Sequence, residues 1–200
     1  MSAIDLKSLD AMFNPQSIAI IGASSTPEKI GGRPIEMLRV HGYEGRILPV
    51  NPTATEIQGH RSYPNLASID GDVDVAILAV PRPAVEGALE QCAAKGVRGV
   101  VMFSAGYAEV DEAGAEEQRR LMAGARAAGM RVMGPNCMGF ANLRTGLIAT
   151  FHPAFTTRMA RDGRIGMVTQ SGAFGGLSAQ MALERGIAFS HIMTTGNEAT

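Results

Sequence analysis

The sequence predicts an α/β fold: a Rossmann-like, doubly wound parallel sheet followed by an incomplete second α/β domain. Three observations support this prediction. Short apolar runs, of which residues 18–21 are the clearest, are typical of strands buried on both faces of a parallel sheet. Helical patterns separate such runs five times over, as βαβ units require. Turns with glycine or proline follow the strands, at the edge where such sheets bind ligands.

The elements of the first domain follow one another closely. A lead-in at 1–16 has rough helical spacing, and residues 53–72 form a long surface loop with one helical turn. Helices are predicted at 34–40 and 81–95, and an acidic stretch at 109–117 leads into a third helix that ends near residue 128. The strands are predicted at 17–22, 46–50, 73–80, 98–103 and 130–133.

The pattern restarts after residue 145, where the first domain is predicted to close. We expect an irregular stretch at 145–163, and after it a strand at 164–169, a helix at 174–185 and a strand at 187–193. Two strands and one helix cannot bury a core alone, because stable sheets generally need three or more strands. The predicted domains are therefore 1–145 and 146–200, the second being the truncated beginning of a further α/β domain.

The composition indicates a soluble globular protein. Of the 200 residues 46% are hydrophobic and 18% charged, and the net charge is −1. The lack of charge runs argues against nucleic acid and membrane surfaces as partners, and no apolar segment approaches the roughly 18 residues of a membrane span. The N-terminus has no signal-peptide pattern. The two cysteines are typical of free thiols, so we expect a cytoplasmic protein.

The first turn carries the residues of an anion site. Gly22, Ala23, Ser24 and Ser25 connect the first strand to a helix, so free backbone N–H groups are expected to point at one place, which suits phosphate. A dinucleotide fingerprint needs three glycines in the pattern Gly-x-Gly-x-x-Gly, and only Gly22 is in place. The turn therefore indicates phosphate without indicating a nucleotide, and a plain tight turn is the alternative.

Further unusual loops lie at the same predicted edge of the sheet. A ligand crevice is expected outside the carboxyl ends of the strands. The loops there contain Asn51, Pro52, Val80, Pro81, Ser104, Ala105, Gly106 and Asn136. A second strand-to-helix turn, Ser171-Gly172-Ala173, follows the strand at 164–169, and its N–H groups are expected to be free of bulky neighbours.

These loops, in this order, resemble the CoA-binding domain shared by the succinyl-CoA synthetase α subunit and the NDP-forming acyl-CoA synthetases, which include the ADP-forming acetate–CoA ligases. The sequence Gly134-Pro-Asn-Cys, followed downstream by Gln170-Ser-Gly, is the most specific part. The resemblance implies a flavodoxin-like second domain of the succinyl-CoA synthetase kind. It covers nearly the whole chain, at 18–25, 50–52, 75–81, 103–107, 134–139 and 163–173.

The resemblance implies a ligase that joins a carboxylic acid to CoA while ATP is cleaved to ADP and phosphate, through an acyl phosphate and a phosphohistidine. By the resemblance, residues 22–25 and Lys29 hold the nucleotide end of CoA. Val80-Pro81 and the loop at 104–107 line the pantetheine path. The turn Ser171-Gly172-Ala173 receives the phosphoryl group at a helix N-terminus, where the helix dipole favours anions.

The resemblance also implies parts that this sequence lacks. The phosphohistidine is expected beyond Thr200. None of the histidines of this sequence, His41, His60, His152 and His191, lies in the motif that surrounds the phosphohistidine in the family. An ATP-grasp domain or subunit, with ATP, ADP and Mg, belongs to the complete enzyme, which we expect to be an oligomer. We therefore expect no catalytic residue and no metal site in this chain, and no full reaction from it alone.

Two other functional classes remain open from the sequence. A nicotinamide-binding redox sensor would need an acidic residue roughly 20 residues past the first turn, where the second strand instead ends in Pro49-Val-Asn-Pro52. A regulatory module of a protein acetyltransferase would share the CoA-binding domain. At single positions, Asn136 could be a structural turn residue, Cys137 a buried inert thiol and Ser171 an ordinary N-cap.

Overall fold

A computed structural model describes residues 6–199, and predictions that rest on residues 1–5 or on Thr200 lie outside that range. The predicted α/β fold class is confirmed, and the strands and helices of the first domain begin and end within a few residues of their expected positions. In chain order the elements are α1 (Leu6–Phe13), β1 (Ser17–Ile21), α2 (Arg33–Val40), β2 (Arg46–Val50), β3 (Glu56–Ile57), β4 (His60–Arg61), β5 (Val75–Leu78), α3 (Val85–Lys95), β6 (Gly99–Met102), α4 (Glu112–Ala127), β7 (Arg131–Met133), β8 (Gly139–Asn142), β9 (Leu147–Thr150), β10 (Ile165–Thr169), α5 (Gly172–Leu183) and β11 (Phe189–Thr194).

The larger sheet has parallel strands in the order β2-β1-β5-β6-β7. The strand β1 pairs with β2 on one side and with β5 on the other, so that Ile18 lies between Ile47 and Val75. The chain leaves β1 toward β2 and then crosses to the opposite side at β5. The carboxyl ends of β1 and β5 therefore form the topological switch point of the sheet.

Two apolar cores cover the opposite faces of this sheet. Ala19 of β1 belongs to the core that includes residues of α3 and α4, whereas Ile18 and Ile20 belong to the core that includes residues of α1 and α2. Successive side chains of a strand point to opposite faces. A continuous apolar run is thus what a strand with helices on both faces requires, and all of β1 is buried.

The predicted surface loop at 53–72 is more ordered than expected. It contains the antiparallel hairpin β3–β4, and a 3₁₀ turn at Leu66–Ser68 that matches the predicted helical turn. Ile57 is buried in the same core as Ile18 and Ile35, so the hairpin is anchored to the body of the domain. Strands of two residues are too short to show the alternation that predicts a strand.

The second sheet has the strand order β10-β11-β8-β9. The strands β10 and β11 are parallel and joined by α5, as predicted, but β8 and β9 form an antiparallel hairpin that pairs with β11. The prediction of an irregular stretch at 145–163 is therefore wrong for Leu147–Thr150. The turn of the hairpin lies at the predicted boundary near residue 145, and the division into 1–145 and 146–200 stays a prediction.

The hairpin β8–β9 gives the second sheet a core. Phe189 and Ile192 of β11 are buried with Ile148 of β9 and Ala179 of α5, and Met37 of α2 joins them from the first sheet's side. The hairpin raises the number of strands above the two that the sequence predicted, which is what burial of an apolar face requires.

The outer surface of β10 and α5 is apolar and exposed. Ile165, Val168, Phe174, Leu177 and Met181 each expose between 45% and 67% of their surface. Single exposed apolar residues are ordinary, but several on two packed elements are typical of a surface that meets another part of a protein.

Candidate functional site

The structure brings the predicted loops together along the carboxyl edge of the larger sheet. Gly22 follows β1 and Val80 lies just beyond β5, so the two residues are neighbours at the switch point. Gly22 has a φ of +85°, and a Cβ built on it would overlap the Ala79 carbonyl and come within 2.9 Å of Val80 Cγ1. Glycine is required here both by the left-handed backbone and by the close approach of β5.

Residues 22–32, which we call the first loop, form a closed turn. Gly22 N and Ala23 N donate to Val50 O at 3.1 and 3.2 Å, and Ser24 N donates to Gly31 O at 3.2 Å. The expectation that these three N–H groups are free is therefore wrong, because the loop closes on itself and on β2. The loop exposes residues 25, 26 and 28–30, and among them Ser25 and Lys29 are the predicted site residues.

Asn51 supports the first loop with its side chain. Its Nδ2 donates to Ala23 O at 2.9 Å, and its Oδ1 accepts from Thr53 N, Thr53 Oγ1 and Ala54 N at 3.0–3.1 Å. All of these hydrogen bonds are made within the protein. The Asn51 side chain therefore holds the first loop in place. Pro52 lies exposed beside it.

The three loops after β5, β6 and β7 are joined by hydrogen bonds. Ser104 Oγ donates to Val80 O at 2.6 Å, and Ser104 O accepts from Asn136 N at 2.9 Å. Asn136 has a φ of +54°, in the left-handed region where asparagine is enriched, in agreement with its interpretation as a turn residue. Pro81 and Ala105 are exposed along this row of loops.

Two side chains that the sequence did not single out hold the loop at 104–107. Arg82 donates to Gly106 O and forms an ion pair with Glu117, and its guanidinium carbon lies 5.1 Å from the centre of the Tyr107 ring. Glu109 accepts from Gly106 N at 2.5 Å and from Tyr107 N at 3.1 Å. The sequence analysis assigned Glu109 only to an acidic stretch. Its position, three residues after Gly106, was the feature that could have indicated a carboxylate accepting hydrogen bonds from the loop.

The surroundings of this loop shift two pKa values. Burial raises the pKa of Tyr107 to about 12, with a further contribution from Glu117. Burial also acts to raise the pKa of Glu109, but hydrogen bonds from Asn197 and from the loop amides outweigh it and hold that pKa below its ordinary value. At neutral pH Glu109 is therefore an ionised acceptor, and Tyr107 is a neutral phenol.

The predicted phosphate turn Ser171-Gly172-Ala173 begins α5. Ser171 is the N-cap, and its Oγ accepts from Phe174 N at 3.3 Å, so its interpretation as an N-cap is confirmed. A Cβ built on Gly172 would overlap the side chain of Met138. The expectation that no bulky side chain lies beside this turn is therefore wrong, because the loop at 134–139 packs against it. Ala173 is exposed.

The loop at 134–139 contacts both the predicted CoA-binding loops and the predicted phosphate turn at the start of α5. Asn136 contacts the loop after β6 through Ser104, whereas Met138 contacts Gly172 of α5. Met138 N also donates to the Thr194 Oγ1 atom at 3.0 Å, which ties this loop to the end of β11. Sites that are far apart in the sequence thus share one loop.

Burial shifts the pKa values of Cys137 and of three histidines. Cys137 is buried, with its Sγ 3.5 Å from Met102 O and 3.6 Å from Met133 O. Burial raises the pKa of the Cys137 thiol to about 12, in agreement with an inert thiol. Burial is the largest cause of the lowered pKa values of His41, His152 and His191.

The described residues contain neither a cluster of metal ligands nor a membrane-spanning helix. Within residues 6–199, no three side chains of His, Cys, Asp or Glu are grouped so that they could hold a metal ion. The helices in the same range are not long and apolar enough to cross a bilayer.

Comparison with known proteins assigns the row of loops to a family. A family model described as "CoA binding domain" matches residues 16–142. The chain belongs to this CoA-binding domain family. A second model, "Succinyl-CoA ligase like flavodoxin domain", matches residues 162–200. The first match contains the CoA-binding chain's row of loops from Gly22 to Asn136, and the second contains the turn at Ser171. The family resemblance predicted from the loops is confirmed.

Relatives of this CoA-binding chain are much longer than it is. The ADP-forming acetate–CoA ligase II subunit alpha of Pyrococcus furiosus is 39% identical over 191 residues, which are 96% of this chain and 40% of that protein. The ADP-forming 4-hydroxybutyrate–CoA ligase of Nitrosopumilus maritimus is 31% identical over 94% of this chain and 26% of its own length. The chain therefore spans 40% or less of the length of these two proteins.

A solved structure shows the same arrangement of both parts. The dinucleotide-forming acetyl-coenzyme A synthetase 1 of Ca. Korarchaeum cryptofilum, in complex with phosphate and ADP, has a TM-score of 0.89 and 36% identity to the CoA-binding chain. The match covers 96% of this chain and 40% of that one. The predicted Rossmann-like domain with a flavodoxin-like second part is confirmed by this similarity.

Proposed function

We propose that this chain is the CoA-binding part of an acid–CoA ligase that forms acyl-CoA from a carboxylic acid and CoA while ATP is cleaved to ADP and phosphate. The observation that carries the proposal is the row of loops across the switch point, joined from Gly22 through Val80 and Ser104 to Asn136. The relatives' names, two ADP-forming CoA ligases, support the same reaction.

The residues along the row fit the parts of CoA. The exposed Ser25 and Lys29 offer a hydroxyl and a cation to the phosphates at the nucleotide end. The edge formed by Val80-Pro81 and by the loop at 104–107 continues from there as the path of the pantetheine arm. Bound CoA supplies the thiol that becomes the thioester, and the chain's own residues bind and orient it.

The complete enzyme needs parts beyond the described residues. We place the phosphohistidine beyond Thr200, and an ATP-grasp domain or subunit supplies ATP and Mg. The reaction runs through an acyl phosphate, and the turn at Ser171 receives the phosphoryl group. The exposed apolar surface of β10 and α5 supports a further portion of polypeptide packed there. The complete enzyme is a cytoplasmic oligomer in this proposal.

One structural observation counts against the nicotinamide-binding alternative. The end of β2 is where a dinucleotide-binding fold places the acid that holds the ribose. Asn51 stands there instead, and its amide is committed to Ala23, Thr53 and Ala54. The acetyltransferase module shares the CoA-binding domain, and the names of the relatives favour the ligase over it.

Ligand-dependent thermal stability tests the CoA proposal. A ligand that binds only the folded chain stabilises it, by about 2.7 kcal/mol at 100 times its Kd. CoA should raise the melting temperature most, dephospho-CoA less and pantetheine least, because the phosphates that contact the first loop are removed in that order. Equal shifts from CoA and pantetheine would contradict the role of the first loop. A shift with NADH and none with CoA would overturn the proposal as a whole.

A further inference from the structure

Gln58 fastens the first loop at both of its ends. Its side-chain Nε2 donates to Ser24 O and to Gly32 O, each at 3.0 Å. The part of the loop that carries the exposed Ser25 and Lys29 lies between these two carbonyls. A side-chain amide nitrogen carries two hydrogens, so one group can satisfy both acceptors at once.

The hairpin β3–β4 holds Gln58 in this position. Ile57, the residue before it, is almost completely buried, at 1% exposure, in the core beneath α2. Ser62 N donates to Thr55 O at 2.9 Å, which closes the base of the hairpin. Gln58 is thus presented by a short, anchored element rather than by a free loop.

The backbone at Gln58 has a conformation that is uncommon for glutamine. Its φ is +51°, in the left-handed region that glycine and asparagine adopt more readily than glutamine does. The turn geometry alone would therefore favour one of the two smaller residues. The length of the glutamine side chain is what lets its amide reach both carbonyls of the first loop.

We propose that Gln58 is a positioning residue for the nucleotide end of CoA. It holds the first loop in the shape that receives the phosphates, and it thereby sets the preference of the chain for CoA over ligands without a nucleotide. The inference rests on the proposed CoA-binding function. Asn51 bonds the same loop at Ala23 O from the side of β2, so the loop is held from two directions before any ligand arrives. Such preorganisation reduces the entropy that binding must otherwise spend on ordering the loop.

Two variants of Gln58 separate the hydrogen bonds from the fold. Gln58→Asn keeps the amide and suits the left-handed backbone, but it is one methylene too short to reach both carbonyls. Gln58→Met keeps the length and removes the donor. Glu56→Gln is the control, because it changes an exposed carboxyl group of the same hairpin and leaves Gln58 in place. The Kd values for CoA and for pantetheine are measured by calorimetry, and the melting temperature is measured for each variant.

We expect both Gln58 variants to bind CoA about 10-fold more weakly, the equivalent of about 1.4 kcal/mol. Their affinity for pantetheine and that of the control for both ligands should equal the original. Unchanged CoA affinity in both variants, or equal losses for CoA and pantetheine, would overturn the role of Gln58 while leaving the proposed function in place. A failure of the original chain to bind CoA would overturn the proposed function, and the role of Gln58 with it.

Discussion

Glu109 and Asn197 are joined across the two parts of the chain, with 2.5 Å between Glu109 Oε2 and Asn197 Nδ2. Glu109 also accepts from Gly106 N, so the loop on the proposed pantetheine path is tied to the segment after β11. In the same segment Gly196 N donates to Gln170 O at 3.2 Å, next to the turn that begins α5. One short segment therefore contacts the surroundings of both predicted sites.

Exchanging donor and acceptor in this pair should reveal their coupling. Asn197→Asp places a carboxylate opposite Glu109 and opposite Gln118 Oε1, which accepts from Asn197 Nδ2 at 2.9 Å. Adding Glu109→Gln returns a donor to the pair. We expect the double variant to be more stable than the sum of the two single effects by about 0.5–3 kcal/mol, from urea unfolding. Strictly additive effects would show that the contact carries no energy.

The same carboxylate should contribute to acid sensitivity. Because the pKa of Glu109 is lowered in the folded chain, its contribution to stability is present above the ordinary pKa of glutamate. That contribution is lost as the pH falls through the lower, folded-state pKa. Glu109→Gln should therefore flatten the dependence of the melting temperature on pH in the acidic range. An unchanged pH profile would mean that Glu109 titrates alike in the folded and unfolded chains.

Ser25→Asp tests where the phosphates of CoA bind. The side chain is exposed, so the added carboxylate should leave the melting temperature unchanged but repel the phosphates. Two unit charges at about 4 Å interact by roughly 1 kcal/mol in water and 4 kcal/mol near a protein surface, so CoA affinity should fall about tenfold or more. Ala67→Asp, at an exposed position in the 3₁₀ turn, is the matched control. Equal CoA affinity in Ser25→Asp would place the phosphates elsewhere.

Ser171→Asp tests the second turn without removing its N-cap. Aspartate caps a helix as well as serine does, so the free energy of unfolding should be retained. In the complete enzyme its charge should repel the incoming phosphoryl group, and the loss of such electrostatic stabilisation typically costs about 10²–10³ in rate. Ser171→Asn, a neutral cap, is the control. This pair is cleaner than a change at Gly172, where a side chain would strike Met138. Less than a tenfold difference between Asp and Asn would remove the turn from the reaction.

Both cysteines should resist alkylation in the folded chain. Burial raises the pKa values of Cys92 and Cys137 to about 12, so almost no thiolate is present at pH 8. We expect iodoacetamide to label neither thiol until urea unfolds the protein, as followed by mass spectrometry. Rapid labelling of Cys137 in the folded chain would contradict its interpretation as an inert thiol.

Local patterns were enough to predict the parallel sheet and the place of the first loop. Continuous apolar runs such as residues 18–21 identify strands that are buried on both faces, whichever strands they later pair with. Gly22 at the end of such a run identifies a strand-to-helix turn in the same way. The row of loops then follows from topology, because the carboxyl ends of parallel strands meet at one edge.

The sequence by itself thus determined the fold class, the order of the main elements and the positions of Gly22, Val80, Ser104 and Asn136. Only the tertiary structure decided that Gln58 grips the first loop, that Glu109 meets Asn197 and that Met138 packs on Gly172. It also decided that β8 and β9 join the second sheet. The physical reason is that each of these contacts joins distant segments: Glu109 and Asn197, for example, are 88 residues apart. The hydrophobic periodicity of a segment indicates which face of the element is buried, but it does not indicate which other segment packs against that face.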